Sequence, residues 1–386
     1  MTVESVKQES ISQKAAQDYD PFLRGRYPVG VSTIQTRDTV RNRPFSCEIW
    51  YPAAAQHAGQ DLAPESQDTF VVPLLDTQWR QMAVRDAAPF PGTYPLIIFS
   101  HHSGGHRRSA TFLCTHLSSH GYVVAALDHS EVVAPELARK EGETAEQKAS
   151  RWEAVIASRV PDARFLIDFL LNDTAPDLGV TLDATRLGIV GHSFGAWTAL
   201  ATPDDEPRIR AVVGLAPGGT SRPRPGILPV KLGFGWGRDV PVLYLVAEND
   251  VCLPLDGMYE TFERTPASKQ MVILRRADHM HFMDHVEEMH ERVRTMPVPP
   301  ELAYLAEEMR PIAELCSGDM ANLFTRGLTL CHMDATLQDR EDARQFLSGD
   351  IEGQLAARGV EVMVHSHEPS DNSPAAPSPW LLVARS

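Results

Sequence analysis

The stretch Arg186–Leu200, RLGIVGHSFGAWTAL, decides how this chain is read. Its first half is a short, unbroken apolar run, which suits a strand buried on both faces of a parallel sheet. Its second half starts like a helix. Between them stands Gly191-His192-Ser193-Phe194-Gly195, a G-x-S-x-G pentapeptide. That pattern is common by chance, but here it lies in the strand–turn–helix setting that a nucleophilic serine requires. The serine must stand clear of the sheet on a sharp, strained turn, and small flanking residues keep that turn free of clashes. The turn also sets Ser193 at a helix N-terminus, where N–H groups and the helix dipole favour a developing oxyanion.

Working outward, PLIIFS, YVVAALD and VPVLYLVA are further short runs of Val, Ile and Leu. Strands are expected at Val29–Thr36, Phe45–Tyr51, Leu96–Phe99, Tyr122–Leu127, Leu187–Val190, Ala211–Leu215, Val242–Val246 and Met271–Leu274. Helical patterns fill gaps, among them Ala110–His120 and Arg159–Leu171. Strands alternating with helices predict an α/β fold with a doubly wound, mostly parallel sheet. The domain reading is a polar leader over 1–25, one domain over 26–364 and a Pro/Ser-rich disordered tail over 365–386, with Trp380–Val383 as a short apolar patch near its end. Segments 131–157 and 283–320 read as helical insertions that could form a lid, and Ala53–Pro91 reads as loop-like.

A serine hydroxyl is a weak nucleophile until a histidine takes its proton and a carboxylate orients that histidine. The expected order in such a fold is serine, acid, histidine. VPVLYLVAEND ends a buried strand in Glu248-Asn249-Asp250, and KQMVILRRADHMHF runs out into His279-Met280-His281-Phe282. Asp250 and His279 are the favoured partners of Ser193; Glu248 and His281 compete for the same roles. Ser100-His101-His102-Ser103-Gly104-Gly105, a polar loop leaving a strand, is placed to supply an oxyanion N–H; the other comes from Phe194. Phe234 and Trp236, in a glycine-rich loop, and His102 are candidates to line a substrate pocket.

The chain has 386 residues, 43% of them hydrophobic and 23% charged, ample for a large core. The net charge of −15 argues against nucleic acid or an anionic membrane as the main partner. No apolar run approaches the roughly 18 residues of a membrane span. Five scattered cysteines without a CxxC read as reduced thiols in a cytoplasmic protein. No cofactor and no metal are expected. The expected partner is a small-molecule ester, with a homodimer as the protein contact considered.

These residues resemble the α/β-hydrolase superfamily, and more narrowly its platelet-activating-factor acetylhydrolase and dienelactone hydrolase-like branch. The likeness is carried by YPVGVSTIQTRDTVRNRPFSCEIWYPA, PLIIFSHHSGGHRRSATFLCTHLSSHGYVVAALDHSE, RLGIVGHSFGAWTAL, VPVLYLVAENDVCLP and RRADHMHF. It implies a serine esterase with Ser193 as nucleophile, His279 as base and oxyanion donors at Ser103 and Phe194. Two departures stand out. His102 occupies a position where the family usually carries glycine. The acetylhydrolases place their acid one strand earlier, where this chain has VVGLAPGG and no carboxylate; Asp250 is the position usual in the wider superfamily. Dienelactone hydrolases proper use cysteine where Ser193 stands.

Other readings compete. An amidase or peptidase would use the same three residues. A silent hydrolase-like binding protein would be expected to have lost one of them. A metal hydrolase could draw on the histidines of 279–290, since His279-Met280-His281-Phe282-Met283-Asp284-His285 nearly matches an H-x-H-x-D-H zinc motif with one residue too many. His285 and His290, five apart, would differ by about 140° around a helix and so face different ways.

Overall fold

The computed structural model describes residues 19–72, 75–172 and 177–365. Most of the leader, and the tail from 366 with its Trp380–Val383 patch, lie outside them.

The chain opens with β1 (Val29–Asp38) and β2 (Arg43–Pro52), an antiparallel pair. β3 (Asp68–Val72) and β4 (Thr77–Gln81) form a separate hairpin, and β5 (Val84–Arg85) adds to the edge of β1. The core follows in βα steps: β6 (Thr93–Ser100), α1 (Thr111–Ser119), β7 (Val123–Leu127), α2 (Ser130–Val133), α3 (Ala145–Leu171), β8 (Thr181–His192), α4 (Phe194–Ala201) and β9 (Ile209–Leu215). Then come β10 (Val242–Ala247), α5 (Leu255–Arg264) and β11 (Lys269–Leu274). Helices α6 (Val286–Thr295), α7 (Tyr304–Glu308), α8 (Gly318–Leu337), α9 (Glu341–Ser348) and α10 (Ile351–Ala356) lead to β12 (Val362–His365).

Ten strands make one sheet in the order β12-β11-β10-β9-β8-β6-β7-β2-β1-β5. From β7 to β11 the neighbours are parallel; β2 and β12 flank them antiparallel. β7 and β10 are buried along their whole length, and β8 from Leu187 to His192, because helices cover both faces. Each Val, Leu or Ile buried there contributes about 1.5–3 kcal/mol.

Four expectations differ from the fold. Ala53–Pro91 holds the β3–β4 hairpin, stabilised by Phe70, Val72 and Trp79 as a small cluster of their own. Segment 131–157 is not separable from the helix expected at Arg159–Leu171: α3 runs through both and carries Pro161 inside it. Segment 283–320 includes the start of α8, whose Phe324, Leu328 and Cys331 belong to the main core. Finally, the leader boundary at residue 25 cuts through packed chain. Phe22 is 2% exposed, and the Tyr19 hydroxyl donates to Asp334 at 2.9 Å.

Candidate active site

β8 ends at His192 and α4 begins at Phe194, so Ser193 is the whole of the turn between them. Its backbone sits at φ 58°, ψ −116°, the strained conformation expected for a nucleophile elbow. The two glycines are there because nothing larger fits. A Cβ on Gly195 would stand 2.0 Å from the Ser100 carbonyl oxygen, and one on Gly191 would stand 2.1 Å from that of Gly195. The Ser193 N–H donates to the Leu215 carbonyl at 2.8 Å, which pins the turn to β9.

Asp250 and His279 leave the same edge of the sheet after β10 and β11. The Asn249 N–H donates to Ala277 at 2.8 Å and ties the two loops together. His279 Nδ1–H donates to Asp250 Oδ2 at 2.7 Å, and the Ser193 hydroxyl donates to His279 Nε2 at 2.8 Å. An ionised carboxylate only accepts, so it keeps the proton on Nδ1 and leaves the Nε2 lone pair facing the serine. Burial pulls His279 down, but the charge and hydrogen bond of Asp250 outweigh it, and the imidazole lies above its ordinary pKa. Asp278, buried behind the site, is pushed up to about 7 by that burial and then by the Asp250 charge.

The competing residues are engaged elsewhere. Glu248 accepts from the Arg276 N–H at 2.8 Å and pairs with Arg275 at 3.1 Å. His281 is buried, with Nε2 on the Cys316 carbonyl at 3.1 Å. The other members of the near-zinc motif also separate. Asp284 accepts from the Thr111 and Phe112 N–H groups at 2.7 and 3.0 Å, capping α1. His285 stacks on Trp79, and His290 bonds the Arg310 carbonyl at 2.8 Å. No group of three metal-binding side chains converges among the described residues.

Phe194 and Ser103 stand at the two places expected of oxyanion donors, the start of α4 and the loop after β6. Neither N–H has a hydrogen-bond partner among the described residues. The loop is held tightly. His101 donates from Nδ1 to the His102 carbonyl at 2.7 Å, and its Nε2 accepts from the His129 N–H at 3.2 Å. His102 lies 5.3 Å from His192, ring centre to ring centre, and His192 lies 4.9 Å from His279. Burial, and then the nearby His106 and His279, hold His102 down to about 3, so it is neutral at pH 7. Phe234 and Trp236 contact each other at 5.5 Å, and Phe234 lies under Arg264. They do not line the cleft that adjoins the site. That cleft, of about 480 Å³, is lined by Pro217, Thr220, Arg222, Arg224, Cys252 and Leu253 among others. It adjoins the site through Leu253, whose N–H donates to Asp250, and through Gly218 beside Pro217, whose N–H donates to the Ser193 carbonyl. The sequence reading missed it because its walls come from two separate loops.

The family model for platelet-activating factor acetylhydrolase, isoform II, matches residues 16–159, a stretch that carries the loop after β6 and ends before Ser193. Cutinase est1 of Thermobifida alba is 25% identical over 236 residues, 60% of this chain and 68% of that protein. Platelet-activating factor acetylhydrolase of Cavia porcellus is 24% identical over 225 residues, half of this chain but only 48% of its own length. Among solved structures, a ferulic acid esterase from Streptomyces cinnamoneus is 26% identical, covers 82% of this chain and 92% of its own, and superposes with a TM-score of 0.57. The chain has the α/β-hydrolase fold. Within that class it resembles the platelet-activating-factor acetylhydrolases, and the comparisons place it among carboxylic ester hydrolases. No helix among the described residues is long and apolar enough to cross a membrane.

Proposed function

We propose that the chain hydrolyses carboxylic esters through Ser193, His279 and Asp250 by way of an acyl-enzyme. The observation that carries the reading is the continuous hydrogen-bonded line from the Ser193 hydroxyl through His279 to Asp250, raised on a strained elbow. Ser193 Oγ attacks the ester carbonyl carbon while His279 Nε2 takes its proton. The carbonyl oxygen becomes an oxyanion facing the N–H groups of Phe194 and Ser103. His279 then passes the proton to the leaving alcohol. A water then gives a proton to His279 and attacks the acyl carbon; the bond to Ser193 Oγ breaks as His279 returns that proton to Oγ, and the carboxylic acid leaves. Asp250 holds the ring in the productive tautomer and stabilises the imidazolium.

The relatives are named for three different esters, so what they share is the bond cleaved rather than one acid or alcohol. The cleft beside Asp250 mixes Arg222, Arg224, Asp256 and Glu260 with Pro217 and Leu253, a lining that favours a small or medium polar ester over a long alkyl chain. All five cysteines are free, which supports a reducing, cytoplasmic setting.

A p-nitrophenyl ester panel from acetyl to decanoyl, run in excess EDTA, tests this reading. Turnover is expected to survive EDTA, to favour the shorter chains and to vanish in Ser193→Ala. Loss to EDTA would overturn it and bring forward a metal reading on the histidines of 279–290.

The site also fixes a pH dependence. The base must be neutral to accept a proton, and an ordinary histidine titrates at about 6.5. Because His279 lies above its ordinary value, kcat/KM should rise with pH on a limb centred above about 6.5. Asp278 contributes to that upward shift through its negative charge. Asp278→Asn removes the charge, so the limb should move to lower pH; movement to higher pH would contradict this assignment of the base.

A further inference from the structure

Arg159 has no part in the steps above, yet its side chain is completely buried in the middle of α3. Nη1 donates to the His101 carbonyl at 2.7 Å and lies 3.4 Å from Ser100 Oγ. Nη2 donates to the His102 carbonyl at 3.3 Å and pairs with Glu131. The guanidinium carbon lies 4.2 Å from the centre of the Phe194 ring. One cation therefore touches the peptide groups that lead into Ser103 and the side chain of Phe194, the two residues that carry the oxyanion donors.

The geometry of the peptide explains what this contact does. In a trans peptide the C=O and N–H point in opposite directions. The His102 carbonyl is drawn to Arg159 and to His101 Nδ1–H, so the Ser103 N–H on the same peptide is turned away from the helix. An N–H turned inward would be unavailable to an oxyanion. Arginine suits the task because its planar fork can serve two carbonyls and stack on a ring at once, which a lysine cannot. Glu131 balances the charge, so the pair acts by placement rather than by net field.

The same helix supports the loop again three residues on. Asp162 accepts from His129 Nδ1–H at 3.2 Å and from the Ser130 N–H at 2.7 Å, and the Ser100 hydroxyl donates to His129 Nε2 at 2.8 Å. Ser100, His129 and Asp162 repeat the atom order of a hydrolytic triad, but Ser100 is fully buried, so the string serves as a brace under the loop.

We propose that Arg159 is a positioning residue of the oxyanion hole: it sets the 101–103 loop against Phe194 so that both N–H groups face the developing oxyanion. The inference rests on the serine esterase reading. The test compares wild type with Arg159→Lys and with the double variant Arg159→Met/Glu131→Gln, which leaves neither charge buried alone. For each, kcat is measured per active site titrated by burst, with KM, melting temperature and the inhibition constant of an alkyl boronic acid, whose tetrahedral adduct needs the same N–H donors. In the double variant kcat per site is expected to fall about 30-fold or more, short of the 10²–10³-fold that losing one oxyanion donor costs. KM should stay within about threefold, and boronate affinity should fall in step with kcat. Arg159→Lys should recover part of both. A purely structural arginine would lower the melting temperature and the titratable fraction but leave kcat per site and boronate affinity unchanged, and that result overturns the proposal. If the double variant does not fold, Arg159→Lys decides alone: wild-type kcat and boronate affinity in that variant would overturn it. Full turnover in Ser193→Ala would instead remove the serine reading itself, so the two failures are distinct.

Discussion

Ser193→Ala is expected to lower kcat by about 10⁴–10⁶-fold while the protein stays folded. The size follows from the loss of the only atom that forms the acyl bond. What remains over water would come from the oxyanion donors and substrate binding. The fold should persist because alanine and serine meet the same strain at φ 58°, and the pinning bond to Leu215 uses the backbone N–H. A melting temperature close to wild type beside lost turnover is the predicted pair of readings. His279→Ala should cost a similar factor, and Ser193→Ala/His279→Ala little more than either alone, because the two act as a unit. A multiplicative double loss would mean that they serve separate steps.

Asp250→Asn is expected to lower kcat by about 10⁴-fold, with Glu248→Gln costing less than about tenfold. The contrast is sharper than either number. The carboxylate of Asp250 can only accept from Nδ1–H; an amide in its place can donate, which stabilises the tautomer with the proton on Nε2 and blocks attack by the serine. Glu248 stands two residues away on the same loop but is bound to the Arg276 N–H and to Arg275. Comparable losses from both substitutions would show that the loop, rather than the carboxylate on His279, is what matters.

Much of this was legible because the fold is written in local patterns. Buried parallel strands must be apolar on both faces, so PLIIFS, RLGIVG and VPVLYLVA announce themselves. The elbow is legible for a steric reason, visible in the 2.0 Å approach that only glycine allows at position 195. The sequence favours His279 over His281 and Asp250 over Glu248 but does not separate them. Each pair lies on one loop, and only the direction of each side chain separates them. The β3–β4 hairpin was hidden because its apolar residues form a small cluster apart from the main core. The brace formed by Arg159 and Asp162 joins residues far apart in sequence, which no periodicity reports. A signal did exist: two charged residues three apart on the apolar stripe of RVPDARFLIDFLL, a face that buries them completely.

The most direct test of the central claim is to treat the protein with a p-nitrophenyl alkylphosphonate in EDTA and map the adduct by peptide mass spectrometry. The account predicts one p-nitrophenol released per chain, one phosphonyl group on the peptide containing Ser193, and complete loss of ester turnover as the label goes on. Inactivation with the label on another residue, or full turnover by protein carrying the Ser193 adduct, would contradict it.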